Sequence, residues 1–278
     1  MTTHLSVPAA VAACPSSPAA RGHSRRLLAV ALATLIAAPA VLAQDQDEDR
    51  GWDGTGELGF VSSSGNSRSD SINARLGLKY EDGDWRHSLS LSGLRQRGET
   101  LVLVDPGDPD SGERIMQTTA NRYSIGAQAA RKLNERNALY ASMRYENDDF
   151  APYQYQAIIS TGWAHTAIDS ERTTLTVEGG PGYKRTKEAL TGEVEGAFIG
   201  RGKLDYETRL TATTSLVDTL LVEAGSDNTF IQNDFGVRVA ISSQLALKAG
   251  LQHRHNTDVP EGRSKTDRMT TLNLVYDF

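Results

Sequence analysis

The sequence predicts an all-β fold, a transmembrane antiparallel up-and-down β-barrel of about 12 strands. Three observations support this fold class. Segments with an apolar side chain at every second position recur from Trp52 to the C-terminus, the connections between them alternate in length, and the last segment ends in Phe278. A membrane barrel turns one face of each strand to lipid and the other to a polar lumen, which produces a period of two residues. A soluble antiparallel sandwich shows the same alternation, so the barrel depends on the other two observations and on the export signal below.

The predicted strands follow one another along the chain with the same alternation. The fifth, for example, has Leu139, Ala141 and Met143 on one face and polar or charged side chains between them. The ninth is less regular, because Asp218 shares the parity of its apolar residues. In chain order the predicted strands are 52–60, 72–80, 85–91, 123–129, 139–145, 155–163, 175–183, 194–206, 216–224, 231–241, 245–251 and 272–278.

The connections between these strands predict how the barrel is oriented. Bacterial outer-membrane barrels have short periplasmic turns, longer outside loops and an even number of strands. We therefore expect an outer-membrane protein of a Gram-negative bacterium with both termini in the periplasm. The short turns are 82–84, 134–135, 170–171, 211–213 and 243–244; the longer loops are 62–69, 98–115, 185–193 and 256–266, with shorter ones near 150–152 and 226–228.

The N-terminal region predicts export. Arg21, Arg25 and Arg26 precede the apolar run 27–38, and Ala43 offers a small residue for cleavage before Gln44. The apolar run is too short for a membrane-spanning helix, which needs about 20 residues, although an uncleaved anchor is the alternative. The expected domains are 1–43, an N-terminal extension with a cleaved signal peptide; 44–51, an acidic periplasmic tail; and 52–278, the barrel.

Charge and cysteine content narrow the function further. The chain has a formal net charge of −6, and the loss of 1–43, which holds three arginines and no acidic residue, makes it −9. An acidic chain is a poor partner for nucleic acid. The one cysteine, Cys14, precedes the predicted cleavage site, so the mature barrel is expected to contain no disulfide and no cysteine metal site.

Charged side chains of both signs fall on the inward face of the predicted strands. They predict cross-strand ion pairs, which either leave a narrow wet pore or close the lumen. The function expected on this basis is a small pore; an occluded structural barrel is the alternative. The candidate lumen charges are Arg75, Arg144, Glu146, Glu178, Glu195, Arg201, Lys203, Asp205, Arg238 and Lys248.

No catalytic, cofactor-binding or metal-binding residue is predicted, and we expect no enzyme. His253 and His255 lie near Ser264 in sequence, which leaves a lipid-modifying hydrolase as a further alternative, but no nucleophile motif surrounds a serine. Asp227 and Asn256 carry oxygen atoms suited to a hard cation, yet both are ordinary turn residues.

Several short motifs stand out along the chain: GELGF at 56–60 followed by SGN at 64–66, EGGPGY at 178–183, GSDNT at 225–229, HNTDVP at 255–260 and KTD at 265–267. Together they resemble the salt-induced outer-membrane protein family of Gram-negative bacteria. The resemblance covers nearly all of the mature chain. It implies an outer-membrane barrel for envelope adaptation to salt or osmotic stress, and it supplies no substrate.

The C-terminus predicts the partners. Tyr276 and Phe278, on the last alternating strand, resemble the signal that the bacterial barrel-assembly machinery reads. The expected partners are therefore that machinery, periplasmic chaperones, and outer-membrane lipid with lipopolysaccharide.

Overall fold

The structure is a computed structural model that describes residues 50–63, 68–103, 112–189, 191–259 and 264–278. The predicted signal peptide, Cys14 and the acidic tail up to residue 49 lie outside the described residues. The strands are β1 (Arg50–Ser63), β2 (Ser69–Asp82), β3 (Trp85–Leu103), β4 (Gly112–Lys132), β5 (Asn137–Asp148), β6 (Tyr153–Asp169), β7 (Thr173–Glu188), β8 (Val194–Arg209), β9 (Thr214–Gly225), β10 (Thr229–Ala240), β11 (Leu245–Asn256) and β12 (Thr266–Asp277).

The strands form a closed antiparallel barrel in which each pairs with its neighbours in sequence and β1 pairs with β12. The predicted fold class is therefore confirmed. β1 begins at Arg50, two residues before the expected start of the barrel. Among the described residues, no helix is long and apolar enough to cross a membrane.

The connections define two ends of the barrel. One end, the short-turn end, carries the connections 83–84, 133–136, 170–172, 210–213 and 241–244 and also both ends of the barrel sequence. Its tightest turn contains Gly83, whose φ of 57° is a left-handed conformation that glycine adopts without strain. The other end, the long-loop end, carries 64–68, 104–111, 149–152, 189–193, 226–228 and 257–265.

The connection predicted at 98–115 is shorter than expected. β3 continues to Leu103 and β4 begins at Gly112, so most of that segment is paired strand. Gln96 pairs with Ala120 and Arg97 with Thr118, so Thr119 of β4 is an extra residue, which makes a β-bulge. The bulge changes which face the residues of β4 point to, and this break in alternation hides the start of β4 from a search for period-two segments.

The barrel is apolar outside and charged inside, the reverse of a soluble protein. Ile159, Phe198 and Leu251 are exposed on its outer surface, whereas Glu146 and Glu223 are buried in the interior. Aromatic contacts gather at the two ends: Trp52 on Tyr80 and Tyr276 on Phe278 at the short-turn end, Tyr145 on Tyr155 and Tyr183 on Phe198 towards the other. Such belts are typical of barrels where they meet the two membrane interfaces.

Candidate functional site: the barrel lumen

A set of charged and amide side chains crosses the lumen, and we name it the polar girdle. Its members come from strands on all sides of the barrel and lie in the half nearer the long-loop end. Alternation places them inward, because each shares the parity of the other interior residues of its strand. The polar girdle consists of Arg122, Arg144, Glu146, Glu223, Gln252 and Arg254.

Two contacts of the polar girdle span almost the full width of the barrel. The guanidinium of Arg254 on β11 donates to Oε1 of Glu146 on β5 over 2.5 Å, and these strands are on opposite sides of the closed sheet. Arg122 on β4 donates to Oε1 of Gln252, also on β11, over 2.8 Å. Since neither contact joins neighbouring strands, both narrow the passage directly.

The other half of the polar girdle is deeply buried. Nη2 of Arg144 lies 2.5 Å from Oε2 of Glu223, which is 2% exposed, and Arg254 is 6% exposed. The guanidinium groups of Arg144 and Arg254 lie 5.6 and 5.0 Å from the ring centre of Phe230. Buried charges are costly unless they are paired, so these ions hold one another in place, and the planar guanidinium can pair and stack at once.

Further ion pairs occupy the interior outside the polar girdle. They join oppositely charged side chains on the same strand, on adjacent strands or across the barrel, so most interior charges are neutralised locally. The pairs are Arg201–Glu178 (3.0 Å), Lys203–Asp205 (2.5 Å), Lys248–Glu57 (2.7 Å), Arg75–Asp234 (3.1 Å) and Arg238–Asp277.

The structure brings most of the predicted lumen charges together. Those that make interior ion pairs are Arg75, Arg144, Glu146, Glu178, Arg201, Lys203, Asp205, Arg238 and Lys248. Glu195 is different: it is exposed, close to the first residue of β8 at the long-loop end, and forms no ion pair with a described residue.

Several of the paired charges are not among the ten candidates selected from the sequence. Glu57 and Glu223 lie at inward positions of β1 and β9, so counting alternate residues along these strands could have found them. Asp277 is the penultimate residue and was treated only as part of the terminal strand. Arg254 lies between His253 and His255 near the end of β11, a position that suggests an exposed side chain, yet it is buried.

In the part of the chain that the structure describes, a cavity of the lumen lies on each side of the polar girdle. The larger, of about 590 Å³, extends towards the short-turn end, and the smaller, of about 470 Å³, lies towards the long-loop end. Both are bordered by Leu94, Arg122, Gln252 and Met269. Basic side chains outnumber acidic ones in the larger cavity: the basic set is Arg75, Lys79, Arg122, Arg144, Arg201, Lys203, Arg238 and Lys248, and the acidic set is Glu57, Glu146, Glu223 and Asp234.

The histidines and oxygen ligands considered in the sequence have local partners. Nδ1 of His255 lies 2.8 Å from the hydroxyl of Thr266, and the hydroxyl of Ser264 donates to the carbonyl of the same threonine over 2.9 Å. Asn228 donates to Oδ1 of Asn256 over 2.8 Å. In the described part of the chain, no group of three or more His, Cys, Asp or Glu residues is arranged to hold a metal ion.

The C-terminal residue closes the short-turn end of the β1–β12 seam. The backbone N–H of Phe278 donates to the carbonyl of Gly54 over 2.9 Å, and that of Gly54 donates back over 2.7 Å. The Phe278 ring covers Gly54 so closely that a Cβ there would lie 2.3 Å from it. Tyr276 stacks on the ring with centroids 6.0 Å apart.

Deletion of Phe278 is expected to reduce the amount of assembled barrel, because it removes both backbone hydrogen bonds and the ring at the seam. Together these contribute about 2 kcal/mol. The variant Phe278→Tyr keeps both features and should assemble like the wild type. Heat-modifiable mobility of the membrane fraction on gels measures this, and equal levels of folded protein for the deletion would contradict the expectation.

Fold and site define a class of protein: a closed antiparallel barrel with an apolar exterior, two aromatic belts and a charged, partitioned lumen. The chain belongs to the family DUF481, described as proteins of unknown function, whose family model matches residues 56–278. A search among curated proteins found no match.

Solved structures include similar barrels. The translocator domain of the autotransporter NalP from Neisseria meningitidis is 15% identical, with 91% of this chain and 94% of that chain covered and a TM-score of 0.44. An outer-membrane channel from Pseudomonas putida F1 is 11% identical, with 84% and 99% covered and a TM-score of 0.49. The NanC porin is 10% identical, with 81% and 98% covered and a TM-score of 0.47. At these scores the likeness supports no assignment of function, which has to come from the lumen of this chain.

Proposed function

We propose that this protein is a narrow outer-membrane pore that favours small anions and is constricted by the polar girdle. The observation that carries the proposal is the pair of cavities that meet at Leu94, Arg122, Gln252 and Met269. Side chains separate the cavities here, and the two that contact each other across the lumen, Arg122 and Gln252, are polar. Polar side chains can rotate and be hydrated, so a solute can pass them.

The anion preference follows from the lining of the larger cavity. Basic side chains exceed acidic ones in that lining, but three of them, Arg201, Lys203 and Arg238, are neutralised by Glu178, Asp205 and Asp277. Lys79 lines this cavity and makes no ion pair with a described residue, so its charge is fully available to a passing anion. Charge rings in a narrow lumen attract ions of opposite sign and repel the others.

The location and orientation belong to the same proposal. The export signal supports an outer-membrane protein of a Gram-negative bacterium, and the short-turn end, which carries both ends of the barrel sequence, would face the periplasm. Production under salt or osmotic stress, implied by the family resemblance, stays a prediction that transcript levels at raised salt would check.

Ion selectivity tests the pore directly. In planar bilayers under a KCl gradient, the wild type is expected to give a reversal potential of the same sign as the chloride equilibrium potential. Lys79→Glu should lower the chloride-to-potassium permeability ratio by about twofold or more, because it changes the lining by two charges. Lys79→Gln, which changes one charge, should have roughly half that effect. A cation-selective wild type, or an unchanged ratio in Lys79→Glu, would contradict the proposal.

An occluded structural barrel is the second candidate, favoured by the contact between Arg254 and Glu146 across the full width of the lumen. This candidate predicts a wild type that passes no current in the same recordings, with variants that lose stability and still do not conduct.

A further inference from the structure

The seam between β1 and β12 is paired along only part of its length. Its ladder runs from the short-turn end as far as the pair Gly59–Asn273 and stops there. On their other sides both strands continue: β1 pairs with β2 as far as Ser63, and β12 pairs with β11 as far as Thr266. In the register of this ladder, residues 60–63 face residues 269–272; all of them are described, and they form no ladder with each other. We name this unpaired stretch the seam gap.

The seam gap requires polar surroundings. Unpaired backbone N–H and C=O groups are costly in hydrocarbon, so the free edges of β1 and β12 need water or a polar ligand. The last paired rung beside the gap is also polar: Asn273, a residue 3% exposed, and Asn73 lie against Gly59, and Oδ1 of each has no hydrogen-bond partner among the described residues.

The smaller cavity reaches the seam gap. Met269, at the long-loop end of the gap, lines it together with Thr266, Asp267 and Arg268. The gap therefore lies beside the part of the lumen above the polar girdle.

Along the outer surface beside the seam gap, a cationic region near the long-loop end is followed by an apolar region towards the short-turn end. Arg268 is exposed, forms no ion pair with a described residue, and lies directly opposite His253 on β11. Below them, towards the short-turn end, Leu251, Leu272 and Leu274 are exposed. A cationic upper part above an apolar lower part matches an amphiphile with an anionic head and acyl chains.

We propose that the seam gap binds the phosphate-bearing headgroup of an outer-leaflet amphiphile. The phosphate pairs with Arg268 and accepts hydrogen bonds from the free backbone N–H groups of the edges, and the acyl chains lie in the bilayer over the leucines. This inference rests on the orientation in the proposed function, since it needs the long-loop end to lie in the outer leaflet.

Binding is tested on the full barrel in nanodiscs, with bis-phosphorylated lipid A as the probe and native mass spectrometry as the readout. Arg268→Gln is expected to bind about tenfold more weakly, the effect of losing one charge-assisted contact. Arg185→Gln is the matched control, because Arg185 is also exposed near the long-loop end but lies on β7, which is paired on both sides. Equal binding by the two variants, or equal binding of dephosphorylated lipid A, would overturn the site.

A disulfide test examines the seam gap independently, in a Cys14→Ser background that leaves no other cysteine. Leu58→Cys with Leu274→Cys lies in the paired ladder and should oxidise readily. Ser62→Cys with Thr270→Cys continues the same register into the seam gap and should stay reduced. Equally rapid oxidation of both pairs would show a closed seam and remove the inference.

The two tests also separate this inference from the proposed function. Protease accessibility of the loops on intact cells reports the orientation. If the barrel has the reverse orientation but still binds lipid A through Arg268, the binding site exists. Its location in the outer leaflet, and an outer-leaflet amphiphile as its natural ligand, would then be refuted. Correct orientation with no effect of Arg268→Gln would refute the site alone.

Discussion

Arg254→Ala is expected to raise the single-channel conductance at least about twofold and to destabilise the barrel by about 3 kcal/mol. The substitution removes the arginine of the polar girdle that spans the lumen to Glu146. It also leaves Glu146 buried with one partner fewer. Conductance is measured in planar bilayers, and stability by urea unfolding in lipid vesicles.

Two variants show whether the effect belongs to the pair. The double variant of Glu146→Ala with Arg254→Ala should conduct as well as Arg254→Ala or better. Its loss of stability should be smaller than the sum of the losses of the two single variants, because no unpaired charge remains. Arg86→Ala removes a pair with Glu81 that is largely solvent-exposed, so it should cost less than about 1 kcal/mol and leave conductance unchanged. Conductance that stays at the wild-type value in Arg254→Ala would show that the polar girdle is not the constriction.

The second large effect concerns the outer surface. Ile159, 62% exposed at the middle of β6, is expected to face the centre of the bilayer. Ile159→Arg should therefore destabilise the barrel by about 2–4 kcal/mol, since an arginine at the bilayer midplane carries that cost. Unfolding in lipid vesicles measures the loss.

The same strand offers the control. Ile168, 42% exposed, also points outward but lies close to the short-turn end, where it pairs with Leu175. Ile168→Arg should cost about 0–1 kcal/mol, because an arginine near the interface reaches water. Equal losses for the two variants would contradict a membrane-spanning exterior.

These effects depend on which face of its strand a residue occupies, and this is what the sequence predicts most clearly. A period of two residues assigns each side chain to one of two faces, so the inward position of Arg75, Glu178 or Lys248 followed from counting along a strand. The pattern failed where a bulge shifts the parity, as in β4 at Thr119. In β9, Asp218 lies on the outer face, where its Oδ1 accepts a hydrogen bond of 2.7 Å from Asn233. A charged residue among the outward apolar ones makes the alternation around Glu223 harder to recognise.

The partners of the inward charges could not be predicted in the same way. Parity says that Arg254 and Glu146 face the lumen, but their contact depends on which strands lie opposite each other and on the stagger of the closed sheet. The residues are separated by 108 positions in the sequence. The seam gap was equally out of reach, since no local pattern states where the β1–β12 ladder ends.

The central claim, a continuous lumen constricted by the polar girdle, is tested most directly by chemical access from each end. Ser90 lines the larger cavity, and Ser90→Cys in the Cys14→Ser background gives one thiol there. A membrane-impermeant, negatively charged methanethiosulfonate reagent is added to one or the other compartment of a planar bilayer while the current is recorded. We predict that the current is blocked from both compartments, more slowly from one of them, and that Arg254→Ala makes the two rates similar. A barrel that carries no current, or that is blocked from one compartment only in both forms, would contradict the claim.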